Sequence, residues 1–151
     1  LANERSSIAE VYGLRRKMEE LKELARETVR AGKRAVEIPS IRRRLQRADI
    51  RIESMRLNGQ RFLTKQLRGE PLGSETSINK LHRAALEVEM GELAMEITGS
   101  ASTLMRGSAD APENGRWADY ALGWPEVVIG GGTPNIQKNI IAERILGLPK
   151  D

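Results

Sequence analysis

The stretch IAEVYGLRRKMEELKELARET, residues 8–28, decides the fold of this sequence. The side chains of its apolar seam recur at alternating spacings of three and four, and they are Val11, Leu14, Met18, Leu21, Ala25 and Thr28. This is the a/d pattern of a helix that packs in a bundle. Gly32 follows at a position that glycine favours, just past the end of such a helix. The stretch therefore predicts one long amphipathic helix.

Two further helices follow from the same kind of pattern. The second is predicted to begin after Pro39 with Ser40 as its N-cap, and its seam consists of Ile41, Leu45, Ala48, Ile52, Met55, Gly59 and Phe62. The third covers Ile78 to about Gly99. It is apolar on two sides, formed by Ile78, Leu81, Ala85 and Val88 and by Leu86, Met90, Leu93 and Ile97. A helix of this kind is expected to be buried between its neighbours.

The last helix is predicted at the C-terminal end of the sequence. Thr133 is a suitable N-cap and Pro134 suits the first helical position, while Gly147 marks the end. Four helices with short connections predict an all-α domain, an up-and-down four-helix bundle.

The composition argues against several functional classes. The 151 residues are 39% hydrophobic and 30% charged and include no cysteine, so a globular domain without thiol chemistry is expected. The 25 basic residues are mixed with 21 acidic ones and aromatic residues make up 3%, which argues against a nucleic-acid partner. No apolar run is long enough for insertion into a membrane. We expect a cytoplasmic protein, cut from a longer chain because it starts without methionine.

Few side chains suggest chemistry by themselves. His82 is the only histidine, and no acidic partners stand at ligand spacing, so no metal site is predicted. Arg43, Arg47 and Arg51 are four residues apart and form one basic helix face. Solvent or a subunit contact explains this face better than phosphate binding does.

The region before the last helix offers two further candidates. Trp117, Tyr120 and Trp124 suit a planar ligand, but an aromatic plug beneath a long loop is the favoured interpretation. The GGGT segment, residues 130–133, suits an anion at the start of the last helix. It is not a dinucleotide fingerprint, since no strand precedes it.

Four stretches are more specific when they are taken together: LANERSSIA (1–9), EIPSIRRRLQ (37–46), INKLHRAALEVEMGELAMEITG (78–99) and IGGGTPNIQKNIIAERILGLP (129–149). They resemble, in order, the opening, two inner helices and the close of the C-terminal helical domain of acyl-CoA dehydrogenases. The resemblance spans nearly all of residues 1–151. It implies that an N-terminal helical domain and a middle β domain belong to the same protein.

The resemblance also implies an activity. Members of this family oxidise fatty acyl-CoA thioesters to trans-2-enoyl-CoA, as in fatty acid β-oxidation. A glutamate removes the α proton, and the β hydride passes to FAD. The implied partners are acyl-CoA, an electron-transfer flavoprotein and further subunits of a homo- or heterotetramer. Residues 1–151 alone are expected to be inactive, because the main platform for the flavin is missing.

The catalytic glutamate occupies one of two places in the family. In many members it directly precedes the Gly-Thr of the closing motif, where this sequence has Gly131. In the isovaleryl-CoA and long-chain types it stands in the first helix, within a Glu-Arg pair. The resemblance identifies that pair as Glu4 and Arg5. Because either base must reach the same α carbon, a base from the first helix needs the opposite wall cleared.

The remaining positions follow by matching the closing motif. Arg5 and Gly132 correspond to substrate-side positions. Thr133, Pro134 and Asn135 correspond to a segment that touches the flavin dinucleotide. Thr133 thus has two compatible roles, as helix cap and as cofactor contact.

One part of the family pattern is missing. The arginine, phenylalanine and glutamine that reach a neighbouring subunit's flavin are replaced by Thr28, Ala31 and Pro39. Arg30 is a possible substitute, one turn away. Glu96 replaces a glutamine near that pyrophosphate, and its carboxylate would be repulsive there unless it is paired or points away. These departures leave open a catalytically silent assembly subunit of a heterotetrameric dehydrogenase.

Overall fold

The computed structural model describes residues 8–150. This part of the chain contains six α-helices, which are α1 Ile8–Glu27, α2 Pro39–Leu67, α3 Thr76–Thr98, α4 Arg116–Leu122, α5 Trp124–Ile129 and α6 Pro134–Arg144. Two strands of two residues each, β1 Val29–Arg30 and β2 Lys33–Arg34, pair antiparallel between α1 and α2. Short 3-10 turns cover Ala35–Glu37, Gly99–Thr103 and Pro112–Gly115. The predicted all-α class is confirmed, and the four predicted helices are α1, α2, α3 and α6.

The core lies along the seams that the sequence predicts. The seam of α1 is buried from Val11 to Ala25, and all seven seam residues of α2 are buried. Thr28 lies beyond the end of α1 and is half-buried. Burial of these apolar stripes, rather than helix propensity, stabilises such helices. No helix within residues 8–150 has the length and apolar character that a membrane span requires.

Helix α3 is central, since it packs against every other helix of the described part. Its Leu86 side is fully buried, with Leu86, Met90, Leu93 and Ile97 at most 1% exposed. Its other side is only half covered: Leu81 and Val88 are half-buried and Ala85 is exposed. That side lines an apolar groove with Val128 of α5. The predicted burial of α3 on two sides is therefore complete on one side only.

Three local predictions differ from the structure. Ile38, not Ser40, is the N-cap of α2, because Pro39 already takes the first helical position. Gly32 does not follow a helix end; it lies in the turn between β1 and β2, where Ala31 and Gly32 both have positive φ. The last helix ends at Arg144, before Gly147.

The aromatic plug is confirmed in part. Trp117 is buried, and its ring meets that of Tyr120 edge to face with centroids 5.9 Å apart. Trp124 is 49% exposed and does not belong to the plug. The three residues lie on α4 and α5, two short helices that the sequence analysis leaves as an unassigned segment.

Gly115, which precedes α4, offers a test of this packing. Its φ is +74°, and a Cβ there would lie 2.4 Å from the backbone nitrogen of Arg106. We expect Gly115→Ala to lower the free energy of unfolding by about 3 kcal/mol, from left-handed strain and overpacking together. Gly107 has φ +91° but nothing within 4 Å of a Cβ, so Gly107→Ala should cost only the strain, about 1–2 kcal/mol. Chemical denaturation measures both values, and equal losses would contradict the predicted clash.

Candidate functional site

A cavity of about 320 Å³ opens where the start of α1, the first half of α3 and the α5–α6 connection meet. Its wall consists of Glu10, Lys80, Arg83, Glu126, Val127, Gly130 and Gly131. One end of α1 and the glycine segment therefore face the same space. More than a hundred residues separate them in the sequence. The family resemblance connects them only because the catalytic glutamate of the family occupies either the position of Glu4 or that of Gly131.

The glycine segment is a tight turn after α5. The Gly130 N–H donates to the Glu126 carbonyl at 2.9 Å and the Gly132 N–H to the Ile129 carbonyl at 3.2 Å. Gly131 and Gly132 have φ of +70° and +104°, a backbone region that residues other than glycine rarely adopt. A Cβ on Gly131 would meet a single described atom within 4 Å, the Cε of Lys80 at 3.5 Å. The cavity wall is thus open at this position.

Helix α6 begins as the sequence predicts. Thr133 is the N-cap with extended backbone, and its hydroxyl accepts from the Ile136 N–H at 3.4 Å. Pro134 takes the first helical position, and Asn135 is exposed beside it. The positive end of the helix dipole therefore coincides with two polar side chains, which suits a polar or anionic group of a ligand.

Gln137 is a residue of this region that the sequence analysis missed. It is 1% exposed, and its Nε2 donates to the carbonyls of Gly131 at 3.0 Å and Gly132 at 3.4 Å. The only sequence signal is that Gln137 follows the cap residue Thr133 by four positions and so shares its helix face.

A charge network includes two residues of the cavity wall, Glu10 and Arg83. Arg83 of α3 donates through Nη1 to Glu10 of α1, and its Nε donates to Glu87 at 2.7 Å. Burial lowers the pKa of Arg83, but the bond to Glu87 and the charge of Glu10 outweigh it and raise the pKa overall. Burial, together with the charge of Glu87, raises the pKa of the Tyr120 phenol. The phenol of Tyr120 therefore stays neutral. The Nζ atom of Lys17 lies 3.9 Å from the centroid of the Tyr120 ring.

The predicted site residues divide into two groups. Glu4 and Arg5 lie outside the described residues, so their roles stay predictions. Gly132, Thr133, Pro134 and Asn135 continue directly from Gly131 at the cavity wall. Glu10, six residues after Glu4, is a residue of the same wall.

A second region, at the far end of α3, contains the departures from the family pattern. Arg30 donates to the main-chain carbonyl of Glu96, and its guanidinium carbon lies 3.2 Å from the Cβ position of Gly99. The Glu96 carboxylate accepts from Arg44 of α2 at 2.5 Å. Glu96 is therefore paired within the chain, while Arg30 covers Gly99.

The remaining candidates from the sequence are His82 and the basic face of α2. His82 is exposed, and within residues 8–150 no group of histidine, cysteine, aspartate and glutamate side chains is arranged to hold a metal ion. Arg51 pairs with Glu89 of α3, while Arg43 and Arg47 are exposed on the same helix. One acidic residue of α3, Glu89, therefore neutralises part of this basic face.

Comparisons with known proteins agree on one family. The family model described as "Acyl-CoA dehydrogenase, C-terminal domain" matches residues 1–146. Acyl-CoA dehydrogenase IpdE1 of Mycobacterium tuberculosis is 34% identical over 137 residues, which cover 90% of this chain and 32% of the relative. The chain spans about a third of the length of this relative.

Two solved structures are similar to this chain. The ChsE4-ChsE5 complex from Mycobacterium tuberculosis is similar with a TM-score of 0.77 and 29% identity, covering 96% of this chain and 37% of that chain. The FAD complex of PigA is similar with a TM-score of 0.73 and 28% identity, covering 91% and 34%.

Proposed function

The chain belongs to the acyl-CoA dehydrogenase family, whose C-terminal domain it matches, and from this premise we propose a specific catalytic role for it. The protein of which it is part is a flavin-dependent oxidoreductase that converts acyl-CoA thioesters to trans-2-enoyl-CoA in the cytoplasm. N-terminal helical and middle β domains complete it, and an electron-transfer flavoprotein accepts its electrons. Glu4 is the base that removes the α proton.

The cavity between α1 and the glycine turn is the observation that carries this proposal. A base at the position of Gly131 would stand in its wall, and that wall has no side chain there. Glu4 precedes the wall residue Glu10 by six residues, a distance that a chain spans within about 20 Å. We place the substrate's α carbon at the part of the wall that the missing side chain of Gly131 leaves open, where a base from the first helix must reach it.

The residues of this chain have separate tasks in the reaction. Glu4 holds the proton that leaves the α carbon, and Arg5 and Gly132 line the substrate side. Arg83 binds Glu10 and Glu87 and so fixes the start of α1 against α3. When it is bound, FAD supplies the acceptor for the β hydride.

The start of α6 fits the proposed flavin contact. Thr133 and Asn135 present polar side chains at a helix N-terminus, and Pro134 fixes the backbone between them. We therefore assign Thr133, Pro134 and Asn135 to the flavin dinucleotide. Thr133 keeps its role as helix cap in this arrangement.

A second function, that of an assembly subunit which is catalytically silent, is favoured by the region around Glu96. A family member that lends half of a flavin site to its neighbour needs cationic and amide groups there. In this chain Arg30 donates a hydrogen bond to the main-chain carbonyl of Glu96, and the Glu96 carboxylate accepts one from Arg44. The similar ChsE4-ChsE5 structure is a complex of two different chains. A heterotetramer with fewer flavins than subunits is consistent with both observations.

Flavin content and flavin reduction test these proposals together. We expect the full-length protein, expressed alone, to hold clearly less than one FAD per chain, because the region around Glu96 contributes poorly to a neighbour's cofactor. Addition of an acyl-CoA thioester should bleach the bound flavin. Absorbance spectra, protein concentration and light scattering give both results. One FAD per chain in a homotetramer would refute the deficient shared site, and flavin that no acyl-CoA series reduces would refute the dehydrogenase.

A further inference from the structure

We propose that Gln137 is a positioning residue, which fixes the glycine turn and thereby aims residues 133–135 at the cofactor. The inference rests on the proposed flavin contact of that segment. It concerns a side chain of α6 that belongs neither to the helix cap nor to the predicted contact residues. Its geometry alone singles it out.

Gln137 joins the helix to the turn that precedes it. Its backbone N–H donates to the Thr133 carbonyl at 3.0 Å, as a first-turn residue of α6 does. Its side chain folds back, and Nε2 donates to the carbonyls of both Gly131 and Gly132. One buried side chain therefore holds the two residues whose positive φ sets the direction of the chain into α6.

The same amide explains why position 132 has no side chain. A Cβ on Gly132 would lie 2.6 Å from Nε2 of Gln137, closer than such atoms approach. The amide nitrogen of Gln137 thus occupies the space that a side chain on Gly132 would need. Carbonyl groups in a turn have no regular ladder of donors, and a buried side-chain donor meets that need.

The amide oxygen of Gln137 indicates that the residue holds the glycine turn in place rather than only filling space. Oε1 of Gln137 is buried and has no hydrogen-bond partner among the described residues. A buried polar atom without a partner costs free energy, so an apolar side chain of similar size would suit simple packing better. The nitrogen at the turn is what glutamine adds and what methionine or leucine lacks.

Gln137→Met tests this role in the full-length protein, because it keeps the volume and removes the donor. Two readouts are needed: the FAD dissociation constant from flavin fluorescence, and amide hydrogen exchange of residues 130–136 in the flavin-free protein. We expect FAD binding to weaken about tenfold, equivalent to about 1.4 kcal/mol. Exchange in residues 130–136 should accelerate while the core helices keep their protection.

Asn79→Leu is the matched control. Asn79 is also a buried amide, 6% exposed, and its Nδ2 donates to a backbone carbonyl, that of Met55 at 3.4 Å. It lies at the α2–α3 contact, outside the glycine turn. Its loss should reduce stability but leave both the exchange of residues 130–136 and the FAD affinity within twofold of the wild type.

The outcomes separate the inference from the proposed function. Unchanged exchange and FAD affinity in Gln137→Met, or the same local loosening in Asn79→Leu, would overturn the role of Gln137. A folded wild-type protein that binds no FAD would overturn the proposed function, and the exchange data would still decide whether Gln137 holds the turn. If Gln137→Met does not fold, Gln137→Asn replaces it, since the shorter amide cannot reach both carbonyls. Wild-type exchange in Gln137→Asn would contradict the inference.

Discussion

Replacement of Glu4 by glutamine should lower acyl-CoA turnover by about 10²- to 10⁴-fold, the usual contribution of a positioned general base. Glutamine has the shape of glutamate but cannot accept the α proton. Because the core seams of α1 begin at Val11, we expect the fold and the bound flavin to persist. Steady-state oxidation with an artificial electron acceptor measures the loss, and flavin absorbance verifies cofactor content.

Glu20→Gln is the control for this substitution. It makes the same chemical change on α1, where Glu20 accepts from Arg116 at 2.9 Å on the partly exposed surface. Exposed ion pairs contribute about 0–1 kcal/mol, so its turnover should stay within about twofold of the wild type. Turnover of Glu4→Gln near the wild-type value would end the assignment of Glu4 as the base. If that turnover is measured on a purified assembly with a second dehydrogenase-like chain, it would favour the silent assembly subunit, because the other chain then supplies the base.

Removal of Arg83 should have the largest effect on stability at the site. Arg83→Met leaves Glu10 and the 9%-exposed side chain of Glu87 without their cation. A buried charge without its partner costs about 3–5 kcal/mol. Because Arg83 and Glu10 are themselves about 30% exposed, we expect the lower end, about 3 kcal/mol. Chemical denaturation of the full-length protein measures this loss.

Two further variants serve as controls for the stability loss in Arg83→Met. Arg51→Met breaks a pair of similar exposure, with Glu89, away from the cavity, and should cost about 1 kcal/mol. Adding Glu87→Gln to Arg83→Met removes the stranded buried charge and should recover part of the loss. Equal losses for Arg83→Met and Arg51→Met, with no recovery in the double variant, would show that the network does not stabilise the cavity wall.

The sequence predicted the long helices well because each has a continuous seam. In α2 all seven seam residues, from Ile41 to Phe62, are buried. Helices α4 and α5 escaped prediction because they have seven and six residues, too few to show a period. Their existence depends on tertiary contacts, such as that of Ala121 with Gly91 of α3.

The site was predictable only where its signals are local. The cap formed by Thr133 and Pro134 follows from residue type and order. The link between Glu4 and Gly131 needed the family resemblance, since more than a hundred residues separate them. Gln137 gave only the weak signal of its spacing from Thr133, and the network around Arg83 gave none, because a polar residue is expected at the surface until its neighbours are known.

Moving the catalytic base from position 4 to position 131 tests most directly the central claim that both positions serve the same α carbon. Gly131→Glu in the Glu4→Gln background puts a carboxylate into the open wall, where Cε of Lys80 is the nearest described atom to the new Cβ. The positive φ costs about 1–2 kcal/mol, so recovery will be incomplete. We predict that the flavin-loaded double variant turns over acyl-CoA about tenfold or more faster than Glu4→Gln alone. A folded, flavin-loaded double variant that is no faster than Glu4→Gln would contradict the claim that Glu4 and position 131 serve the same α carbon.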